Sequence, residues 1–241
     1  NMLSGKELSF WKVVKGKNKK KYYILDFDST IVSVETLDKL AEVSLNQDPN
    51  KEEKINDIKA LTEKAMNGEI HFMDALEKRI EILDACKDDL KSLSKVLNNK
   101  ITPSLEKNID FFKDNAQNTF IVSGGFTKLI YSTVKDIGIP ENNIFANFFT
   151  FNDNNKIIGV DKNQFLAQKL GKVDAVKSLK LNGTVYVIGD GWTDYQIKEA
   201  GFADYFIAFT EIIERPKVIK KGDIIATSFY DVIEFIKSTK K

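Results

Sequence analysis

The sequence predicts an α/β fold with a Rossmann-like core, in which helices flank a parallel β-sheet. Short apolar runs that end in small or acidic residues alternate along the chain with segments of helical periodicity, the pattern of repeated βαβ units. Residues 33–100 interrupt this alternation with helical spacing alone, and two extended runs stand together later in the chain. We therefore expect an inserted helical cap and a small β-hairpin in addition to the core.

The predicted core strands are short apolar runs. They comprise residues 22–25, 119–122 and 184–188, with weaker runs at 205–209 and 224–226. Because helical segments separate them, the strands are expected to be parallel and joined by right-handed crossovers. Such a sheet brings the carboxyl ends of its strands to one edge, where open α/β sheets bind their ligands.

Two core helices have recognisable ends. Thr102 suits an N-cap and Pro103 suits the first helical position. The apolar face that follows consists of Leu105, Ile109 and Phe112. A second helix is expected to start near Thr127 and to stop at Gly138, with Pro140 just beyond.

The segment 33–100 predicts a cap made of helices. Its apolar residues recur at helical spacing in four groups: Val34, Leu37 and Ala41; Ile55, Ile58, Leu61 and Ala65; Leu76, Ile80 and Leu83; and Leu90, Leu93 and Leu97. The chain therefore divides into an N-terminal extension at 1–21, a core built from 22–32 and 101–241, and the cap.

The hairpin prediction concerns two extended runs at residues 145–151 and 156–160. An Asn- and Asp-rich segment at residues 152–155 separates them. Such residues favour a tight turn, so the two runs are expected to pair with each other in antiparallel fashion.

Composition limits the classes of function. Across 241 residues, 36 Lys and Arg balance 35 Asp and Glu, and the net charge of +1 favours neither nucleic acid nor an acidic partner. A small soluble substrate is the better expectation. Cys86 is the only cysteine, which excludes an internal disulfide and fits a reducing compartment. No apolar run approaches the roughly 18 residues of a membrane span, and no signal peptide is apparent, so a soluble cytoplasmic protein is expected.

The first strand ends in two carboxylates, Asp26 and Asp28, one residue apart. At the carboxyl end of a buried strand, these like charges repel and raise each other's pKa. The arrangement is tolerable if a cation binds there or if a phosphoryl transfer uses it.

Two other strands end in residues that suit the same chemistry. Residues 119–122 run into Ser123 and Gly124, where a hydroxyl and freely approachable backbone amides predict a phosphate seat. Residues 184–188 lead to Asp190 and Asp194, which place two further carboxylates at the same edge. Hard oxygen ligands of this kind suit Mg²⁺.

These motifs together resemble those of the haloacid dehalogenase superfamily phosphatases, and within them the phosphoserine phosphatase family. The resemblance extends from Tyr22 to about Phe229. It implies that Asp26 is the nucleophile that becomes an aspartyl phosphate and that Asp28 is the general acid and then the base. It also implies a Mg²⁺ site formed by Asp26, the backbone oxygen of Asp28 and Asp190, supported by Asp194, with Ser123 and Gly124 on the phosphoryl oxygens.

The resemblance further implies a lysine that helps to cancel charge before one anion attacks another. Lys172 is the better candidate, because it precedes Val173 and Val176 and so falls in the first turn of a predicted helix. Lys169 is the alternative.

Substrate choice is expected to lie in the cap. By the same resemblance, Glu35 binds the ammonium and Arg79 the carboxylate of an amino-acid substrate, while Met66 and Phe72 form walls around it. The fork of an arginine suits a planar carboxylate. Thr193, which occupies a place where many relatives have Asn, is expected to donate to the phosphate.

Three functions remain open from the sequence. The first is Mg²⁺-dependent hydrolysis of L-phosphoserine to L-serine and phosphate, a step of serine biosynthesis. The second is phosphoryl transfer to another acceptor, or hydrolysis of another small phosphomonoester. The third is a catalytically silent binding protein, which the intact acidic motifs disfavour. The oligomeric state is not indicated.

Overall fold

A computed structural model describes residues 19–239 of the chain. Most of the predicted N-terminal extension, residues 1–18, lies outside the described residues. The core is a six-stranded parallel sheet of β1 (Lys21–Leu25), β2 (Thr119–Phe126), β3 (Ile144–Asn147), β6 (Thr184–Gly189), β7 (Tyr205–Phe209) and β8 (Ile224–Ala226). The strand order across the sheet is β3-β2-β1-β6-β7-β8. The predicted fold class is confirmed, and all five predicted core strands are present.

The sheet order places β1 at the centre. Leu25 pairs with Ile121 of β2 on one side and with Ile188 of β6 on the other. The residues that follow these three strands therefore come together at one edge of the sheet. Side chains of these strands are buried on both faces of the sheet, because helices cover both faces.

The prediction of one strand over residues 145–151 is wrong. The run divides into β3, which joins the core sheet beside β2, and β4 (Phe149–Phe151), which pairs antiparallel with β5 (Ile157–Val160). Phe148 lies between the two strands with a partly exposed side chain. Asn147 is fully buried and donates from Nδ2 to the Gly124 carbonyl at 3.0 Å, which holds the end of β3 against β2. The hairpin itself is confirmed, with a shorter first strand.

The helices of the core lie on both faces of the sheet. They are α5 (Pro103–Lys107), α6 (Ile109–Asp114), α7 (Thr127–Val134), α8 (Gly171–Ser178), α9 (Trp192–Glu199), α10 (Pro216–Ile219) and α11 (Phe229–Ser238). The predicted stop at Gly138 is confirmed, because Gly138 adopts a left-handed φ of 83° after a short 3₁₀ turn.

The first core helix differs from its prediction in two respects. It breaks at Asn108, whose side chain donates to the Ser104 carbonyl at 2.8 Å, so α5 and α6 are separate helices. Thr102 precedes Pro103 as expected, but its hydroxyl does not cap the helix. It donates instead to the Thr30 carbonyl at 2.6 Å, because the end of the cap and the loop after β1 run side by side.

Residues 33–100 contain four helices, α1 (Thr36–Ser44), α2 (Lys51–Met66), α3 (Phe72–Leu83) and α4 (Lys87–Leu97). They share a fully buried apolar interior that includes Leu40, Ile58 and Leu76. The cap meets the core where Val32 and Ile101 form an antiparallel bridge.

The cap is also tied to the hairpin. The Ile157 amide donates to the Ala85 carbonyl at 2.8 Å, and the Lys87 amide donates to the Asn155 carbonyl at 3.1 Å. These backbone bonds fix the junction of α3 and α4 to β5. Among the described residues, no helix is long and apolar enough to cross a membrane.

Candidate active site

Asp26 and Asp28 follow β1 at the edge of the sheet. The Asp26 amide donates to the Ile188 carbonyl at 2.9 Å, which extends the pairing of β1 with β6 by one residue. Asp26 is buried, and its Oδ1 accepts from the Phe27 amide at 2.7 Å. The loop then turns sharply at Ser29, which adopts a left-handed φ of 51°. That conformation is costly for a residue with a side chain and is held here by the surrounding structure.

Asp26, Asp190 and Asp194 form a buried cluster. One carboxylate oxygen of each lies within 4.8 Å of the others. Asp194 is fixed by its Oδ2, which accepts from the Gly191 amide at 3.1 Å. Burial raises the pKa of Asp190 to about 6, and burial with the nearby charge of Asp26 raises the pKa of Asp194 well above its usual range.

Lys172 lies between two members of this cluster. Its Nζ is 2.7 Å from Oδ2 of Asp26 and 2.8 Å from Oδ1 of Asp194. Lys172 is buried in the first turn of α8, whereas Lys169 is exposed just before that helix. Burial alone would lower the pKa of Lys172, but the carboxylates of Asp194 and Asp26 raise it above its usual value. Lys172 is therefore a permanent positive charge beside Asp26.

Asp28 has a different environment from Asp26. It is partly buried, and the Thr36 hydroxyl at the start of α1 donates to its Oδ1. Burial raises the pKa of Asp28 to about 7, with a further contribution from the Asp26 charge against the opposing effect of Thr36. A carboxyl group with this pKa can donate a proton and accept it back near neutral pH.

Ser123 and Gly124 lie beside Asp26 within the last part of β2. The buried Ser123 side chain accepts at Oγ from the Gly125 amide at 3.0 Å. The Phe72 ring of the cap rests directly on Gly124, and a side chain at position 124 would overlap it. The cap thus closes over the predicted phosphate seat.

Under the cap lies a narrow cavity. It offers about 20 Å³ to the centres of water-sized molecules, roughly what one water needs. The cavity is lined by Asp26, Asp28, Glu35, Leu37, Met66, Phe72, Arg79, Ser123, Gly124, Gly125 and Lys172. Of the predicted site residues, Asp190, Asp194 and Thr193 do not line this cavity, although Asp190 and Asp194 lie beside Asp26. Glu35, Met66, Phe72 and Arg79 of the cap cover this space, so we expect the cap to move when a phosphomonoester enters.

Glu35 and Arg79 reach this cavity from the cap side. Glu35 Oε1 accepts from the Ser29 hydroxyl at 2.7 Å. Burial raises the pKa of Glu35 well above its usual range, and the charges of Asp28 and Asp190 contribute. Arg79 is 2% exposed and donates from Nε to the Ala75 carbonyl at 3.3 Å.

Thr193 and Trp192 lie at the start of α9. The Thr193 hydroxyl is buried without a hydrogen-bond partner among the described residues, and the side chain borders a second small pocket next to Gly124 and Lys172. The Trp192 indole packs on Gly68 of the cap, where an added Cβ would lie 2.7 Å from Cγ of the indole. Trp192 is therefore part of the contact between core and cap.

Arg215 is a site residue that the sequence reasoning missed. It is 2% exposed; Nε donates to Oδ2 of Asp190 at 2.9 Å, and Nη1 donates to Oε2 of Glu63 at 2.6 Å. Its Nη2 lies 3.5 Å from Oε1 of Glu35. Arg215 precedes the short α10 and belongs to no motif, so only the fold reveals that it joins the acidic cluster to the cap.

The charges around the cavity favour a divalent cation. Five acids meet three basic side chains there: Asp26, Asp28, Glu35, Asp190 and Asp194 against Lys172, Arg79 and Arg215. Asp26, Asp190 and Asp194 supply clustered carboxylate oxygens, which are the donors that Mg²⁺ prefers. This donor set fits the expected ion.

Comparison with known proteins agrees with the fold and the motifs. The family model of the haloacid dehalogenase-like hydrolases matches residues 20–201. The chain is 29% identical over 240 residues to the chloroplastic phosphoserine phosphatase of Arabidopsis thaliana, covering 97% of this chain and 76% of that protein. It is 27% identical over 208 residues to the phosphoserine phosphatase of Drosophila melanogaster, covering 85% of this chain and 73% of that protein.

A solved structure extends this similarity. A phosphoserine phosphohydrolase-like protein from Francisella tularensis subsp. tularensis SCHU S4 is 34% identical and superposes with a TM-score of 0.81, covering 90% of this chain and all of that chain. The chain belongs to the haloacid dehalogenase-like hydrolases. Within that family it is an enzyme of the phosphoric monoester hydrolase class.

Proposed function

We propose that the enzyme hydrolyses L-phosphoserine to L-serine and phosphate in a Mg²⁺-dependent reaction through an aspartyl phosphate on Asp26. The observation that carries this proposal is the position of Asp26, which lies 2.7 Å from the Lys172 ammonium and beside Ser123 in a cavity closed by the cap. A carboxylate can attack a phosphate dianion only where positive groups offset the repulsion.

The first half-reaction uses Asp26 and Asp28. Ser123, the Gly124 amide and Lys172 bind the phosphoryl oxygens, and a carboxylate oxygen of Asp26 forms a bond to phosphorus. The bond from phosphorus to the serine oxygen breaks, and Asp28 gives its proton to that oxygen. The raised pKa of Asp28, about 7, supplies this proton near neutral pH.

The second half-reaction returns the enzyme to its starting state. Asp28, now ionised, takes a proton from a water molecule as the water oxygen attacks phosphorus. The bond between phosphorus and Asp26 breaks, which releases phosphate and restores the Asp26 carboxylate. Asp28 again holds a proton, so the two halves balance.

Asp26, Asp190, Asp194 and the backbone oxygen of Asp28 would hold the Mg²⁺ ion. When bound, the ion supplies positive charge that offsets the negative charge of the phosphoryl group. Arg215, through its bond to Asp190, keeps that carboxylate ionised and oriented in the cluster.

Recognition of the amino acid is assigned to the cap. The Arg79 guanidinium suits the substrate carboxylate, and the Glu35 carboxylate suits the ammonium. Both line the same cavity as Asp26, so one small molecule can contact all three. Met66 and Phe72 are assigned to the walls, and the unpartnered Thr193 hydroxyl to a contact with the phosphate.

A phosphomonoester panel tests the proposal. The wild-type protein, Asp26→Asn and Arg79→Ala are assayed with Mg²⁺ on L-phosphoserine and on p-nitrophenyl phosphate. We expect Asp26→Asn to abolish turnover of both compounds and Arg79→Ala to reduce turnover of phosphoserine selectively. Equal loss on both substrates for Arg79→Ala would remove its role with the carboxylate. Turnover that depends on an added acceptor alcohol would indicate a phosphotransferase instead.

A further inference from the structure

The Arg79 guanidinium is held from behind by side chains of two other cap helices. Arg79 lies on α3, and its Nη1 donates to Oγ1 of Thr62 on α2 at 3.0 Å. The Thr62 hydroxyl in turn lies 3.0 Å from Oδ1 of Asp38 on α1. The chain Arg79–Thr62–Asp38 therefore joins three cap helices, and neither Thr62 nor Asp38 lines the cavity.

The hydrogen-bonding capacity of Thr62 fixes the direction of this chain. A hydroxyl has one proton to donate, and Thr62 receives a hydrogen bond from Arg79 while its own proton can go to Asp38 or to the Ile58 carbonyl, each at 3.0 Å. The charged Asp38 carboxylate is the stronger acceptor. Thr62 is 1% exposed, so water does not replace the contact if the hydroxyl is lost.

Arg79 needs such an anchor because acids also attract it from the cavity side. Glu35 and Asp28 line the cavity together with Arg79, whereas Asp38 does not line it and contacts Thr62. The Phe72 ring, with its centroid 5.7 Å from Cζ, flanks the guanidinium. Without the Thr62 hydroxyl, Nη1 loses its hydrogen bond while Nε keeps its bond to the Ala75 carbonyl, so the guanidinium plane can rotate. A planar fork loses two-point contact with a carboxylate once its plane is rotated.

We propose that Thr62 and Asp38 are positioning residues for Arg79 and thereby set the preference of the enzyme for substrates that carry a carboxylate. The inference rests on the proposed function, because it assumes that Arg79 binds that carboxylate. Neither residue touches the phosphoryl group or the acids that act on it, so the effect is confined to one part of the substrate.

Thr62→Val tests the inference, because valine keeps the shape of threonine and removes its hydroxyl. KM and kcat are measured on L-phosphoserine and on p-nitrophenyl phosphate, which has no carboxylate. We expect KM for phosphoserine to rise roughly tenfold with little change in kcat, the scale of one lost buried hydrogen bond to a charged group. For the aryl phosphate we expect both constants to stay within about twofold.

Three controls separate positioning from a general loss of structure. Thr62→Ser restores the hydroxyl and is expected to behave like the wild type. Asp38→Asn removes the charge behind Thr62 and is expected to raise KM for phosphoserine by a smaller factor. Thr119→Val removes a buried threonine hydroxyl from the far end of β2, where it bonds the Asn115 carbonyl, and is expected to change neither substrate's KM.

The outcomes distinguish this inference from the proposed function. If wild type and Arg79→Ala behave as proposed but Thr62→Val and Asp38→Asn leave the substrate preference unchanged, the positioning role is wrong while the function stands. Equal loss of Thr62→Val activity on both substrates also overturns the positioning role. If the wild type fails to hydrolyse phosphoserine, the proposed function itself is wrong. Should Thr62→Val fail to fold, the preference of Asp38→Asn decides the question.

Discussion

Arg215 donates from Nε to Oδ2 of Asp190 at 2.9 Å, and this buried pair is the point where the acidic cluster meets the cap. The same guanidinium contacts Glu63 of α2 at 2.6 Å. The Arg215 guanidinium therefore contacts both the proposed metal site and the cap.

The contribution of the Arg215–Asp190 ion pair to the free energy of unfolding can be compared with that of an exposed ion pair. Lys217, two residues along, pairs with Glu69 of the cap at 2.9 Å, and its side chain is 61% exposed. Arg215→Met leaves the buried Asp190 carboxylate without its partner, so we expect the free energy of unfolding at pH 8 to fall by about 3–5 kcal/mol. Lys217→Met should cost about 0–1 kcal/mol. Denaturant titration of the metal-free proteins measures both, and equal losses would contradict the assigned role of Arg215.

Lys172 and Lys169 provide a second matched pair. Lys172 is buried against Asp26, whereas Lys169 is exposed nearby. We expect Lys172→Met to lower kcat by at least about 10²–10³, the scale of losing a charged group that stabilises the transition state. Lys169→Met should stay near wild type. Phosphate release under saturating substrate measures the effect, and a larger loss for Lys169→Met would reverse the assignment.

The stability of the metal-free protein should depend on Asp28. Its pKa is about 7 in the folded state and near 3.8 otherwise, so the folded state binds the proton more tightly. The resulting stabilisation is fully present below about pH 4 and is lost as the pH rises through about 7. We therefore expect Asp28→Asn, which imitates the protonated form, to show a smaller fall in melting temperature over this range in EDTA. Parallel curves for the two proteins would exclude this contribution.

Closure of the cap should be sensitive to any side chain at Gly68. Gly68 has a φ of +70°, and a Cβ there would lie 2.7 Å from the Trp192 ring. Gly201 has a φ of +82° with nothing within 4 Å, so Gly201→Ala carries the backbone strain of about 1–2 kcal/mol without the overlap. We expect only Gly68→Ala to raise KM, and the double variant Gly68→Ala/Trp192→Ala to recover part of the loss. An unchanged KM in Gly68→Ala would show that this contact does not limit closure.

Much of the fold could be predicted because the core strands are continuous apolar runs, which parallel sheets require. Asp26, Ser123 and Asp190 could be predicted for the same reason, since each follows or ends such a run and their strands are neighbours in the sheet. The division between β3 and β4 could not, because one run rich in phenylalanine serves two sheets and only tertiary contacts separate its two parts.

No pattern in the sequence indicated the residues that support the site. Arg215 lies 25 positions after Asp190, and Thr62 lies 17 positions before Arg79, on a different helix. Each acts through side-chain contacts that form only when separate elements pack. Thr36, which donates to Asp28, marks the first turn of α1 and reads locally as an ordinary helix start.

The backbone bonds between the hairpin and the junction of α3 and α4 give the cap one anchored side and one released side. On the anchored side, Ala85 and Lys87 bond the hairpin through their backbone. On the opposite side, Glu63 and Gly68 contact the core through the side chains of Arg215 and Trp192 in the part of the chain that the structure describes. We therefore expect the cap to open by rotating about its anchored side. Substrate is then expected to enter on the opposite side, beside α9 and α10. Because α2 and α3 share one buried apolar interior, Arg79 and Thr62 would move together, so the guanidinium would keep its orientation while the cap opens and closes.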